Sequence, residues 1–372
     1  MFEGTAGAVP WSAEGSVAAP QRLTMSANSR NHSSLVPALL LYGAFAVYLY
    51  LPHFDRFSAW QWLLPASVWL AAAGCYVLSQ RWVPGLLGPL LAGALYGFGP
   101  FMLGLGRFHP MASFLAATIP WFFMPAAYVS RRRGVVSALL SLVPFGAVIL
   151  FFLFFRVVAQ YRLFAAPIQA ELRPHDLAGF VAPLVMVGRT AALLSLYHVP
   201  IGALVIGFSM MLMAKRFGVL LIIAAGLALT FCRLYLAPGQ VAWVGVSPVL
   251  WLSIPLVCLA VLAGVGVQGL VEAGTSDRDW VLTAALSLGA LAIVMRLLAL
   301  KYSQSLLGLA DEAARLFVEA AKMYVLGAVA VAIVFLMARR KMRLHWLRRV
   351  VLGAAIGLDI FLSAGYIVAK VL

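Results

Sequence analysis

The side chains here that can move protons or hold phosphate are few and grouped. His53-Phe-Asp55-Arg56 sets a histidine two residues from a carboxylate. Such a pair can act as general base or as part of a divalent-metal site. The plainer reading is an ordinary turn at a membrane surface. Arg107 and His109 lie in Tyr96-Gly-Phe-Gly-Pro-Phe-Met-Leu-Gly-Leu-Gly-Arg-Phe-His-Pro-Met111. They place a cation and a titratable ring between two apolar runs, Trp82–Gly106 and Met111–Val129. Pro100 interrupts helical hydrogen bonding within that stretch. Broken backbone at membrane depth persists only where protein or water covers it. The plainer reading is a helical hairpin whose Arg and His reach the lipid headgroups.

Arg173-Pro-His-Asp176 is the densest polar cluster, within a segment from Arg156 to Val199. Arg173 and Arg107 together suit a phosphate-bearing lipid, because a guanidinium donates two parallel hydrogen bonds to phosphate. His175 and Asp176 add groups for acid–base work. A solvated loop with charge pairs is the alternative. Two more charges, Arg296 and Asp359, fall inside apolar runs, where ionisable residues are costly and are usually functional or paired. Asp359 lies about 14 Å into its span and Arg296 about 24 Å into its own, counted at 1.5 Å per residue from the same membrane face. That separation favours independent roles. Arg296 snorkels outward, and Asp359 is hydrogen-bonded or protonated among helices, where a carboxylate can serve a proton relay.

Composition says what must position these groups. Of 372 residues, 64% are hydrophobic and 10% charged. Apolar runs long enough to span a bilayer recur from Leu35 onward. The reading is an all-α, polytopic transmembrane bundle of about eleven spans, since each needs roughly 20 apolar residues. The spans are placed at 35–51, 60–79, 82–106, 111–129, 135–155, 197–214, 217–236, 247–270, 280–300, 323–338 and 350–369. Residues 1–34 read as a disordered tail rich in Gly, Ala, Ser and Pro, and 35–372 as a single membrane domain. Leu177–Gly188 is apolar but short, and reads as interfacial or re-entrant. In Lys301–Lys322 an apolar face (Leu309, Ala313, Leu316, Phe317, Ala320) opposes Asp311, Arg315, Glu319 and Lys322 at helical spacing. It reads as a short amphipathic helix on the membrane surface.

The net charge of +15 flanks apolar spans. It reads as topology signal and anionic-lipid contact rather than nucleic-acid binding. Arg131-Arg132-Arg133, Lys215-Arg216 and the basic stretch Arg339–Arg349 then share the cytoplasmic side, with the N-terminus inside. His53, His109, His175 and His198 fall on the outer side. Cys75, Cys232 and Cys258 lie far apart in apolar runs and read as core residues, neither disulfides nor metal ligands. No cofactor is implied. Motifs for zinc proteolysis, a nucleophile elbow and an ATP phosphate loop are absent from the sequence, which removes support for those chemistries.

Several stretches resemble parts of GT-C-type polytopic glycosyltransferases and the related bacterial YfhO-type membrane proteins. Gly97-Phe-Gly-Pro-Phe-Met-Leu-Gly-Leu-Gly-Arg-Phe-His109 and Ile119-Pro-Trp-Phe-Phe123 are similar to a family turn, histidine and Pro-containing span, with Gly99 where the families show Ser. Tyr197-His-Val-Pro-Ile-Gly-Ala-Leu204, Ser247-Pro-Val-Leu-Trp-Leu-Ser-Ile-Pro255 and Leu262-Ala-Gly-Val-Gly-Val-Gln-Gly-Leu270 are similar to their span entries and ends. The resemblance covers roughly residues 35–272. It implies a polyprenyl-phosphate sugar as donor and an envelope polymer, lipid or protein as acceptor, handled at the outer face of the cytoplasmic membrane. Asp55 would then be base or metal ligand, assisted by His53, His109 and His175, with Arg107 and Arg173 on the lipid phosphate. The families carry a longer first outer loop; here it runs from Pro52 to Ala59 with Asp55 as its only carboxylate. A secondary transporter or lipid flippase using Asp359, and a non-catalytic scaffold subunit using the basic loop, are the competing readings.

Overall fold

The computed structural model describes residues 34–57, 61–106, 110–129, 143–159, 179–187, 193–214, 217–231, 248–274, 277–303, 308–340 and 344–372. Arg107, His109, Arg173, His175, Asp176 and Cys232 lie outside them. The described residues are helical, with no strand among them.

The helices are α1 (Leu35–Tyr50), α2 (Leu63–Ser79), α3 (Leu87–Gly97), α4 (Pro100–Leu105), α5 (Pro110–Val129) and α6 (Val143–Ala159). They continue as α7 (Pro200–Met213), α8 (Phe217–Phe231), α9 (Ser253–Glu272), α10 (Arg278–Ser303), α11 (Gly308–Arg339) and α12 (His345–Val371). Proline opens α4, α5 and α7. At the first helical position its missing N–H removes no intrahelical bond, and its fixed φ suits the turn.

Among the described residues each apolar run placed from the sequence contains helix. Among them six helical stretches are long and apolar enough to cross a membrane: Leu35–Asp55, Leu87–Leu105, Val249–Glu272, Arg278–Ser303, Asp311–Arg339 and His345–Val371. Leu63–Ser79, Pro110–Met124, Pro200–Met213 and Phe217–Thr230 are apolar but shorter. At 14 residues, α7 spans only about 21 Å, against a hydrocarbon core of about 30 Å.

One expectation needs correction. The short surface helix at Lys301–Lys322 is not a separate element. Its first residues complete α10, and from Gly308 onward it is the start of α11, a 32-residue helix ending at Arg339. No Pro or Gly lies between Leu309 and Leu326 to stop the helix, so the amphipathic turns and the apolar span propagate as one. Its apolar face is nonetheless used: Leu316, Phe317 and Ala320 are buried, while Lys322 Nζ donates to Glu319 Oε1 at 2.7 Å on the exposed side. The described part of Leu177–Gly188 is packed inside the protein. It holds one helical turn, Pro183–Met186, with Pro183, Leu184 and Met186 buried in the protein.

α3 and α9 form the centre; 83% of each of their apolar windows is buried, against 28% for the windows of α1 and α10. α9 packs against both α3 and α7. The approach to α7 is close because both helices offer glycine. A Cβ on Gly266 would run into the Ala203 carbonyl oxygen, and one on Gly207 into the Leu262 carbonyl oxygen. Small residues allow such contact where helices have little hydrophobic reason to associate. α10 and α11 pair along most of their length.

Polar ties fix the ends of α12. Arg348, 3% exposed, donates from Nη1 to the carbonyls of Val271 (3.2 Å) and Ala273 (2.6 Å). It thereby satisfies acceptors left over at the end of α9 and sets a cation at its negative pole. At the other end, Lys370 Nζ donates to Glu312 Oε1 at 2.7 Å. The start of α12 therefore sits beside the end of α9, and the end of α12 beside the start of α11.

Candidate functional site: a buried histidine–aspartate pair

Asp359 is fully buried in the middle of α12. A carboxylate there needs donors, and the chain supplies them from one place. Residues 193–199 run as a buried, non-helical strand of backbone into the start of α7. The first backbone N–H groups of a helix have no intrahelical partner. Asp359 Oδ2 accepts from the N–H of His198 and of Val199, both at 2.8 Å. Oδ1 lies 3.0 Å from His198 Nδ1 and accepts from Ser363 Oγ at 3.3 Å. A side chain from α12 thus caps α7, in the position where the helix dipole favours negative charge.

Oδ1 also accepts from Ser363 and Oδ2 from two backbone N–H groups, so the arrangement suits an ionised carboxylate; with Asp359 in that form Nδ1 carries the hydrogen and Nε2 keeps its lone pair. His198 is fully buried, and Nε2 has no hydrogen-bond partner among the described residues. An unpaired buried acceptor costs about 1–3 kcal/mol. The Tyr324 ring stands perpendicular to the imidazole, with centroids 5.2 Å apart and an interplanar angle of 89°. The Tyr324 hydroxyl donates to the Val181 carbonyl at 2.6 Å, which ties α11 to the buried turn ahead of the site.

Tyr197 joins the pair to a second interruption. α3 ends at Gly97 and α4 begins at Pro100. Phe98 and Gly99 lie between, and Gly99 turns the chain with ψ 157°. A Cβ on Gly99 would run into the Leu95 carbonyl oxygen, so the turn requires glycine. The Phe98 carbonyl belongs to neither helix, and it accepts the hydroxyl hydrogen of Tyr197. Tyr197 itself has φ 71°, the only positive φ outside glycine among the described residues. A bulky residue held there stores about 1–3 kcal/mol and persists only where its surroundings enforce it. They do: its N–H is bonded to Ser195 Oγ at 3.1 Å, its ring is fully buried, and its hydroxyl is committed to Phe98.

The other charged residues singled out from sequence sit elsewhere. Asp55 is exposed on a 3-10 turn, Leu51–Arg56, and His53 on the same turn is partly buried with Nδ1 unpartnered. Arg296 is exposed on α10, without an ion pair among the described residues, and does not meet Asp359. No group of three or more His, Cys, Asp or Glu with metal-binding geometry occurs among the described residues. His198 was the residue that sequence reasoning did not select. Its signal was indirect: an isolated carboxylate in mid-span must find donors, and a Pro-initiated helix start offers free N–H groups.

Chemically, Nδ1–H bound to a carboxylate with a free Nε2 is the arrangement of a histidine that takes up a proton and is stabilised as imidazolium by its partner. The fold and site together define a class: an all-helical protein with, among the described residues, six helices fit to cross a membrane and a buried His–Asp pair at the start of α7, tied to the α3–α4 interruption through Tyr197. No family model matches the chain, and neither the curated proteins nor the solved structures contain a match.

Proposed function

We propose that this chain is a multi-pass protein of the cytoplasmic membrane, of about eleven spans counting those that fall short of the usual roughly 20 residues, and that it moves a solute or lipid coupled to protons carried by His198 and Asp359. The carrying observation is the unpartnered, fully buried Nε2 of His198 backed by the Asp359 carboxylate. Interrupted helices meeting at membrane depth beside ionisable groups are how secondary transporters build their binding sites. The break at Gly99-Pro100 and the non-helical approach to α7 supply them here. The basic stretches at Arg131–Arg133, Lys215-Arg216 and Arg339–Arg349 put the N-terminus inside and meet anionic headgroups.

The test needs no knowledge of the cargo. Proteoliposomes on a solid-supported membrane are given a pH jump and the displaced charge is recorded. The wild type should give a transient current absent from protein-free vesicles, and Asp359→Asn and His198→Gln should lower it at least tenfold. A wild-type current equal to that of empty vesicles overturns the proposal.

A second reading, glycosyl transfer from a lipid-linked sugar, is favoured by the exposed Asp55 carboxylate two residues from the unpartnered Nδ1 of His53. It predicts that a deletion strain loses an envelope glycan, restored by the wild type and not by equally abundant Asp55→Ala protein. Mass spectrometry of the envelope reads this out; restoration by both removes Asp55 as catalyst.

A further inference from the structure

We infer that Tyr197 is the positioning residue that couples proton binding at His198 to the interrupted helix α3–α4. The inference rests on the proton-carrying reading above and adds what that proton does. Three observations place Tyr197 between the two. It precedes His198, whose backbone N–H and ring both bond to Asp359. Its own backbone is held at φ 71°, a conformation that L side chains leave when released. Its hydroxyl is bonded to the Phe98 carbonyl, 99 residues away in sequence, in the gap between α3 and α4.

The proton step is simple to balance. A proton delivered from water forms a bond to the Nε2 lone pair of His198, and the ring becomes imidazolium. Nothing leaves, and the reverse step returns the proton to water. The new Nε2–H requires an acceptor, and among the described residues no hydrogen-bond partner stands at that atom. The groups gathered around the pair are Ser363 from α12, Tyr324 from α11 and Tyr197 from the histidine's own segment. No further charged side chain bonds to the pair among the described residues. Any turn of the imidazole toward a new acceptor pulls on the His198 and Val199 N–H groups that share Asp359. That pull acts directly on the Tyr197 backbone, and through its rigid phenol on the Phe98 carbonyl.

The hydroxyl–carbonyl bond is therefore the link, and removing the hydroxyl alone should break it. Hydrogen–deuterium exchange of the full-length protein in detergent is compared at neutral and acidic pH, after correction for intrinsic exchange rates. In the wild type, peptides covering 198–203 and peptides covering 96–106 should both change protection on acidification, by threefold or more. In Tyr197→Phe, the 198–203 response should persist and the 96–106 response should vanish. Substitution of residue 197 with 3-fluorotyrosine keeps size and fold while making the hydroxyl a stronger donor, and should retain both responses. If Tyr197→Phe keeps the 96–106 response, the coupling role is wrong while the proton site stands. If the wild type shows no response at 198–203, the proton site itself is wrong. Should Tyr197→Phe fail to fold, loss of the 96–106 response in the folded fluorotyrosine protein would equally overturn the coupling role.

Discussion

Asp359→Ala should lower the stability of the folded protein by about 3–5 kcal/mol, the range for removing one partner of a buried polar pair. The reason is what it leaves behind. The His198 and Val199 N–H groups, the His198 Nδ1–H and the Ser363 hydroxyl all lose their acceptor at once. None of them reaches water, because His198, Val199, Asp359 and Ser363 are all buried. The start of α7 would also lose the negative charge that complements its dipole. Asp359→Asn keeps the shape and one acceptor oxygen but turns an NH2 toward other donors. It should cost less, about 1–3 kcal/mol. Thermal unfolding in detergent, followed by circular dichroism, ranks wild type, Asn and Ala in that order. Equal stability of Asp359→Ala and wild type would mean that the cap is not formed.

Gly266→Val should be the other severe substitution. A Cβ on Gly266 meets the carbonyl oxygen and carbon of Ala203 and lies 3.0 Å from the Gly207 N. Backbone cannot rotate away as a flexible side chain can, so α7 and α9 must separate. Overpacking of this kind costs about 1–3 kcal/mol and occasionally more. The upper end is expected here, because α7 also carries the backbone that holds Asp359. The substitution should therefore disturb the His198 site at a distance. Gly289→Ala is the matched control, since a Cβ there meets nothing within 4 Å. In a helix interior, alanine for glycine should be neutral or stabilise by about 0.5–1 kcal/mol. Detergent melting temperatures separate the two; a Gly266→Val protein as stable as Gly289→Ala would contradict the close helix contact.

The sequence by itself determined the class of fold. Apolar runs are set by composition along the chain, and a helix is the local structure that satisfies their backbone without water. The break at Pro100 was legible because that proline stands beside Gly97 and Gly99 within one apolar run; proline alone does not decide a break, since Pro120 and Pro125 lie inside α5. Asp359 stood out because a charge in an apolar run is conspicuous without any structure. The continuity of α11 was less legible. Amphipathic turns followed by an apolar run are compatible with two helices or one, and only the absence of a breaker favours one.

What the tertiary structure decided is who meets whom. His198 and Asp359 lie 161 residues apart, and periodicity along a chain carries no information about such contacts. Among histidines near span ends, His198 was distinguished only by the helix packed across from it. Arg296 and Asp359 are both single charges in apolar spans, and in sequence only their depth separated an outward-reaching Arg296 from an Asp359 held among helices. One sits on the exposed face of α10 and the other at the centre of the bundle. The difference is burial, which depends on the neighbours a helix face finds. The hydrogen bond from the Tyr197 hydroxyl to the Phe98 carbonyl likewise exists only once the α3–α4 turn and the segment ahead of α7 are packed together.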